Sequence, residues 1–114
     1  MGIFRRKPTA PSSGHGGDDQ LLGFLSQTDG GLSAARHWVH YVYCDDESGA
    51  ATMEAAALAG GWDVRRVDPG HHGIIAERSD LPVNLETTPD VRRFFEGLAR
   101  SVPGGDYDGW EASA

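Results

Sequence analysis

The stretch that decides the fold is "GGDYDGWEASA", residues 104–114, which directly follows the clearest helical pattern of the chain. A solvated tail rarely contains both a tyrosine and a tryptophan, because such large rings are usually buried or used in binding. Tyr107 and Trp110 therefore either pack inside the fold or contact a partner protein. We interpret the stretch as an edge strand in which packing is the favoured role.

The spacing of Tyr107 and Trp110 determines whether both rings can lie on one face of that strand. In a straight strand, Tyr107 and Trp110 have opposite parity and point to opposite faces of the sheet. A β-bulge at the Asp108–Gly109 step would bring both rings to the same face. A bulge at this step is therefore one way for both rings to pack in the same core.

Three further segments have strand patterns. Residues 35–45, "ARHWVHYVYCD", are aromatic and β-branched and are apolar on both faces, which is typical of a central strand. Residues 62–67, "WDVRRV", carry two arginines that suit a sheet edge, and residues 72–79, "HGIIAERS", have the apolar centre of an inner strand.

Three segments have helical patterns. Residues 18–31 predict a short helix capped by Asp18, and residues 45–61 predict an alanine-rich helix with acids at its start. Residues 87–102 predict the clearest helix, with Thr88 as its N-cap. For the second helix, the expected inward residues are Ala51, Ala55 and Leu58. For the third helix, they are Val91, Phe94, Phe95, Leu98, Ala99 and Val102, with Arg92, Arg93, Glu96 and Arg100 on the solvated side.

The order of these elements predicts the fold class. Strand, helix, strand, strand, helix and a final strand give βαββαβ, which is the pattern of a two-layer ferredoxin-like sandwich. We expect an α+β fold with a four-stranded antiparallel sheet, helices on one face and an extra N-terminal helix. The first and third strands are expected in the centre, and the second and fourth at the edges.

Composition and charge limit the possible functions. Residues 1–17 predict a flexible basic leader rich in Pro, Gly and Ser, followed by a single domain over residues 18–114. The formal charge is −7, and because the leader carries +3, the rest carries −10. Such an acidic body disfavours direct nucleic-acid binding and favours docking on a basic protein surface. No apolar run is long enough for a membrane span, and the single cysteine, Cys44, suggests a cytoplasmic protein.

The ending "GGDYDGW", residues 104–110, resembles the C-terminal signature of the regulator of ribonuclease E activity B family, the ribonuclease E inhibitors. The upstream order is similar too, since an aromatic strand with a histidine precedes an alanine-rich helix. The resemblance covers about residues 33–112 and implies an α/β sandwich without a catalytic centre or cofactor, which binds an endoribonuclease and restrains its cleavage. The residues singled out as signature or partner-binding positions are Trp38, His40, Tyr107, Asp108, Gly109 and Trp110.

Two other functions stay open from the residues alone. The first is a small-ligand or metal-sensing module that uses the open sheet face and histidines, although His37, His40, His71 and His72 have no regular ligand spacing. The second is a small enzyme that uses His40 or Cys44 in a pocket, although no phosphate-binding loop or nucleophile elbow is present. No metal or cofactor is therefore expected.

Overall fold

The computed structural model describes residues 16–113, and most of the predicted leader lies outside these described residues. The predicted short N-terminal helix begins at Gly16, two residues before the expected cap. The elements in chain order are α1 (Gly16–Leu25), β1 (Ala35–Cys44), α2 (Glu47–Ala59), β2 (Asp63–Arg66), β3 (His72–Pro82), α3 (Thr87–Arg100) and β4 (Asp106–Ala112).

The four strands form one antiparallel sheet in the order β2-β3-β1-β4. The prediction of a mixed α+β fold with three helices and a four-stranded antiparallel sheet is confirmed. The C-terminal stretch is strand β4 and pairs with β1, as expected. The two strands with the most apolar sequences, β1 and β3, lie in the centre, where both neighbours satisfy their backbone hydrogen bonds.

Burial along β1 shows which face of the sheet the helices cover. Trp38, His40 and Val42 are fully buried, whereas Val39 and Tyr41 on the opposite face are partly exposed. Helix α2 packs on β2 and β3, helix α3 packs on β1 and β4, and the leucines of α1 join the same core. The other side of the sheet, which carries Val39 and Tyr41, is called the open face below.

The bulge that the Asp108–Gly109 step could form is present in β4. His40 pairs with Trp110 and Val42 pairs with Tyr107, so β4 has one extra residue over this interval and the register shifts there. Gly109 has a φ of 100°, a left-handed conformation that residues with a Cβ rarely adopt. The extra residue therefore brings both rings to the covered face of the sheet.

Replacing Gly109 with alanine is expected to destabilise the protein by about 1–2 kcal/mol, because a Cβ in the left-handed region costs about that much. Gly23 is the matched control, since it lies in α1 with no atom within 4 Å of an added Cβ. Gly23→Ala should stabilise the protein by about 0.5–1 kcal/mol. Urea denaturation measures both changes, and equal effects at the two positions would contradict the role of the bulge.

Helix α2 has a different inward side from the one predicted. Its buried residues are Gly49, Ala50, Met53 and Ala57, whereas Ala51, Ala55 and Leu58 are exposed. The predicted acidic start is confirmed, since the Asp46 carboxylate accepts a hydrogen bond from the Gly49 backbone N–H. Alanines lie on every side of this helix, so the sheet and not the sequence pattern selects the buried side.

The start of helix α3 also differs from the prediction. Thr88 is not the N-cap but lies buried inside the helix, which begins at Thr87. Asn84 satisfies the first backbone N–H groups instead, because its Oδ1 accepts hydrogen bonds from the N–H groups of Glu86 and Thr87.

Within residues 16–113, no helix combines the length and apolar character that a membrane crossing requires.

Candidate functional site

The signature strand β4 holds the two ends of the described chain together. Trp110 is almost completely buried, and its indole Nε1 donates a hydrogen bond of 2.7 Å to Oδ1 of Asp18 in α1. The ring meets Trp38 edge-on, with centroids 5.8 Å apart. Trp110 therefore anchors both the last strand and the first helix.

Asp18 and Arg92 form a buried ion pair that sequence reasoning missed. The guanidinium donates from Nε to Oδ2 at 2.7 Å and from Nη2 to Oδ1 at 2.6 Å. Arg92 also lies over the Tyr107 ring, 5.3 Å from its centroid. The predictions of Asp18 as a helix cap and of Arg92 on the solvated side are both wrong, because each side chain satisfies the other inside the core.

His40 lies at the centre of the core beneath the signature strand. Its Nδ1 is 2.7 Å from the hydroxyl of Tyr107, and its ring stacks on Phe95 with centroids 4.4 Å apart. Its other nitrogen, Nε2, has no hydrogen-bond partner among the described residues. Burial, and then the positive charge of Arg92, hold the pKa of His40 well below 6.5, so the ring is neutral at pH 7.

The buried neutral histidine predicts a loss of stability in acid. The pKa of His40 is lower in the folded protein than in the unfolded chain, so the stabilisation is present above about pH 6.5 and falls as the pH drops below it. Near pH 5.5, the loss should be on the order of 1 kcal/mol relative to a chain without this group. In urea denaturation, the His40→Gln variant should not show this loss of stability between pH 7.5 and 5.5.

His71→Gln is the matched control for this pH dependence, because His71 is an exposed histidine in the β2–β3 turn. The control should retain the acid loss of the unmodified protein. The free energy of unfolding is measured between pH 7.5 and 5.5 for the unmodified protein, His40→Gln and His71→Gln. If it falls equally in all three, His40 is not the cause of the acid loss.

The signature contains glycines at positions where the backbone leaves no room for a side chain or adopts a left-handed conformation. A Cβ on Gly105 would lie 1.7 Å from the carbonyl oxygen of Ala99, because the chain leaving α3 passes directly against the end of that helix. A side chain at this position would displace the start of β4. The signature therefore combines two backbone requirements, at Gly105 and Gly109, with two core rings.

The open face is acidic and concave. One row of side chains crosses all four strands through Asp63, Glu77, Val39 and Glu111. Beside this row, a concavity of about 650 Å³ is lined in part by Tyr41, Tyr43, Asp68, Asp106 and Asp108. Two side chains of the signature, Asp106 and Asp108, line this concavity, and Asp108 is one of the six positions singled out from the sequence.

Residues 21–112 match the model of the family described as Regulator of ribonuclease activity B. The chain belongs to this family. The match confirms the resemblance over residues 33–112 and extends it to residue 21, which lies in α1. Comparison with curated proteins and with solved structures found no match.

In this member of the Regulator of ribonuclease activity B family, the signature positions mostly lie inside the protein. Trp38, His40, Trp110 and Gly109 are buried, and Tyr107 is partly buried. The buried residues among them hold β4 in place through their side chains or their backbone. Strand β4 in turn carries Asp108 on the open face. A partner-binding role for these six positions stays a prediction, and burial restricts direct contact to the accessible ones.

His37 and Cys44, which were considered for other chemistry, both have structural partners. His37 Nε2 lies 2.8 Å from Oε1 of Glu77 on the open face. Cys44 Sγ donates to the backbone oxygen of Asp46, and burial raises the pKa of this thiol, which lowers its thiolate fraction at neutral pH. Within residues 16–113, no group of three His, Cys, Asp or Glu side chains is arranged to hold a metal ion.

Proposed function

We propose that this protein is a non-catalytic, cytoplasmic regulator that binds an endoribonuclease and restrains RNA cleavage. The observation that carries the proposal is the match of residues 21–112 to the Regulator of ribonuclease activity B family. The family name describes regulation of a ribonuclease, and a regulator of this kind acts by binding a protein and not by chemistry of its own.

Charge and chemistry support the same proposal. A ribonuclease presents basic surface to RNA, and an acidic protein is attracted to such a surface. The acidic row on the open face supplies the opposite charge. The pKa of the Cys44 thiol is raised, which lowers its thiolate fraction, and the His40 imidazole is fully buried, so both observations favour binding over catalysis.

A cleavage assay with purified components tests the function. The endoribonuclease of the native cell is incubated with a fluorogenic RNA, and the full chain is added in increasing amounts. We expect the initial rate to fall with dose, and we expect the chain alone to leave the RNA intact. An unchanged rate at micromolar chain, together with no ribonuclease recovered by affinity purification, would refute the proposal.

We also propose that the sandwich is of the ferredoxin-like type. Its support is the position of β1 and β3 in the centre of the sheet, with β2 and β4 at the edges. The helices α2 and α3, which follow β1 and β3, pack on the same face. Superposition of an experimental structure on ferredoxin-like domains tests this description, and a different path of either helix would contradict it.

A further inference from the structure

We propose that the free edge of strand β2 pairs with the same strand of a second copy of the chain, so that the two sheets join into one. The edge is formed by Asp63–Arg66, which lies at one end of the strand order β2-β3-β1-β4. The direction of its backbone groups, the order of its charges and an exposed leucine on the neighbouring helix support this pairing. The inference is independent of the proposed function.

The backbone of β2 presents two residues to the free edge. Val67, directly after β2, donates its N–H to the carbonyl oxygen of Gly73, so its backbone groups point toward β3. Successive residues of a strand direct these groups to alternate sides, and the β2–β3 register is unbroken. Val64 and Arg66 therefore point their N–H and C=O groups away from the sheet, where a further strand can pair with them.

An antiparallel copy centred on Val64 places opposite charges across the new boundary. Val64 then exchanges two backbone hydrogen bonds with Val64 of the second copy, and Asp63 lies opposite Arg65 of that copy on the open face. The twofold symmetry repeats the same charge pair on the other side of the centre. A copy centred on Arg65 would instead set two arginines against each other, which is unfavourable. The charges of β2 therefore select one register.

Both side chains of this charge pair can reach a second copy. Asp63 is exposed, and the residue directly opposite it in β3 is Glu77, a like charge that destabilises the pair. Arg78, which interacts with Asp63 through its charge, donates from Nε and Nη2 to Asp80. The side chain of Arg65 is 63% exposed and bonds Glu77 through Nε. Its two terminal nitrogens have no bond within residues 16–113 and are free to donate to a carboxylate.

The side of α2 next to this edge is apolar. Glu47 and Glu54 of α2 both bond Arg66 of β2, so this side of the helix is directed toward the edge. Ala51 and Leu58 each follow one of these acids by four residues, which places them on the same side. Leu58 is 53% exposed. A second copy paired at β2 covers this leucine, and removal of its apolar surface from water favours association.

The other edge of the sheet is less suited to pairing. Strand β4 carries the bulge at Asp108–Gly109, where its register with β1 shifts. A bulge disrupts the regular spacing of backbone groups that a further strand needs. Strand β2 pairs with β3 without any such shift, so its outward groups keep the spacing of a regular ladder.

Sedimentation equilibrium of the full chain between about 1 and 300 µM tests the proposal. We expect a dimer with a Kd on the order of 50 µM, because an edge of four residues buries less surface than a standard interface. Asp63→Arg should raise the Kd at least about tenfold, since it sets two like-charged pairs across the boundary. The exchange Asp63→Arg with Arg65→Asp restores opposite charges and should return the Kd to within about threefold of the original value.

Asp29→Arg is the matched control, because it makes the same change in net charge at an exposed residue of the α1–β1 loop. It should change the Kd less than about twofold, since distant surface charges are screened. A monomer at every concentration would overturn the proposal, and so would equal weakening by Asp63→Arg and Asp29→Arg. Circular dichroism of each variant must first match that of the unmodified protein.

Val64→Pro tests the backbone pairing itself. It removes an N–H that points out of the sheet, and an edge strand accepts proline at such a position, so the domain should fold and the dimer should be lost. Hydrogen exchange followed by nuclear magnetic resonance gives a second measurement on the unmodified chain. The amides of Val64 and Arg66 should become protected as the protein concentration rises, and unchanged exchange at both would contradict pairing at this edge.

The endoribonuclease separates this inference from the proposed function. If the chain is monomeric and Val64→Pro weakens binding of the enzyme, the edge belongs to the enzyme and the assignment to a second copy is wrong. If the dimer forms as expected and the enzyme neither binds nor slows, the pairing at β2 stands and the proposed function is wrong.

Discussion

Replacing Trp110 with alanine is expected to lower the free energy of unfolding by about 3–5 kcal/mol, the usual cost of removing a buried tryptophan. The change removes a ring packed against Trp38 and also the indole donor to Asp18. A loss of this size is a large part of the stability of a small domain. Urea denaturation followed by far-ultraviolet circular dichroism measures the effect.

Two further variants serve as controls for the loss of stability expected in Trp110→Ala. Trp110→Phe keeps an aromatic ring in the core and removes the indole donor, so its loss should be smaller than that of alanine. Phe24→Ala removes a ring that is 58% exposed and should cost less than about 0.5 kcal/mol. If Trp110→Ala cost no more than Phe24→Ala, the ring would not anchor β4.

Replacing Arg92 with methionine is expected to cost about 3–5 kcal/mol, because Asp18 would keep a buried carboxylate without its cation. Arg93 is the matched control, since it is the next residue of α3 and forms an exposed ion pair with Asp90. Arg93→Met should cost less than about 1 kcal/mol. Both values come from the same denaturation experiment.

A double variant separates the ion pair from the packing of its side chains. Asp18→Asn removes the charge that Arg92→Met leaves uncompensated, so the double variant should be more stable than the sum of the two single losses implies. Additive losses would show that the two side chains act independently. In that case the close contact between Asp18 and Arg92 would contribute little to holding α1 on the domain.

Local patterns in the sequence were sufficient to predict the strands and the sheet. The aromatic run around Trp38 and the pair Ile74–Ile75 identify the central strands, because inner strands are richer in β-branched and aromatic residues, whereas edge strands more often carry charges. The parity of Tyr107 and Trp110 pointed to a possible bulge at Asp108–Gly109, and the structure has one there. These features depend on residues that are close together in the chain.

The parts that were not predicted depend on contacts between distant residues. Asp18 and Arg92 are 74 residues apart, and no local pattern shows that they meet. The buried side of α2 was assigned to Ala51 and not to Ala50, because alanines offer several equivalent stripes. In the candidate site, the alternation of side chains along β1 placed His40 and Tyr41 on opposite faces of the sheet. The sequence did not show which of these faces the helices cover, and the structure shows that it is the face of His40.

The pairing of β4 with β1 has a consequence for biosynthesis. Chains emerge from the ribosome N-terminal end first, and β4 is the last of the four strands of this sheet to be made. Until it emerges, β1 has one unpaired edge, and Asp18 lacks its indole donor. The domain therefore cannot complete its sheet until β4 has been made, and a message truncated before Trp110 encodes a chain with an open strand edge that is prone to aggregation.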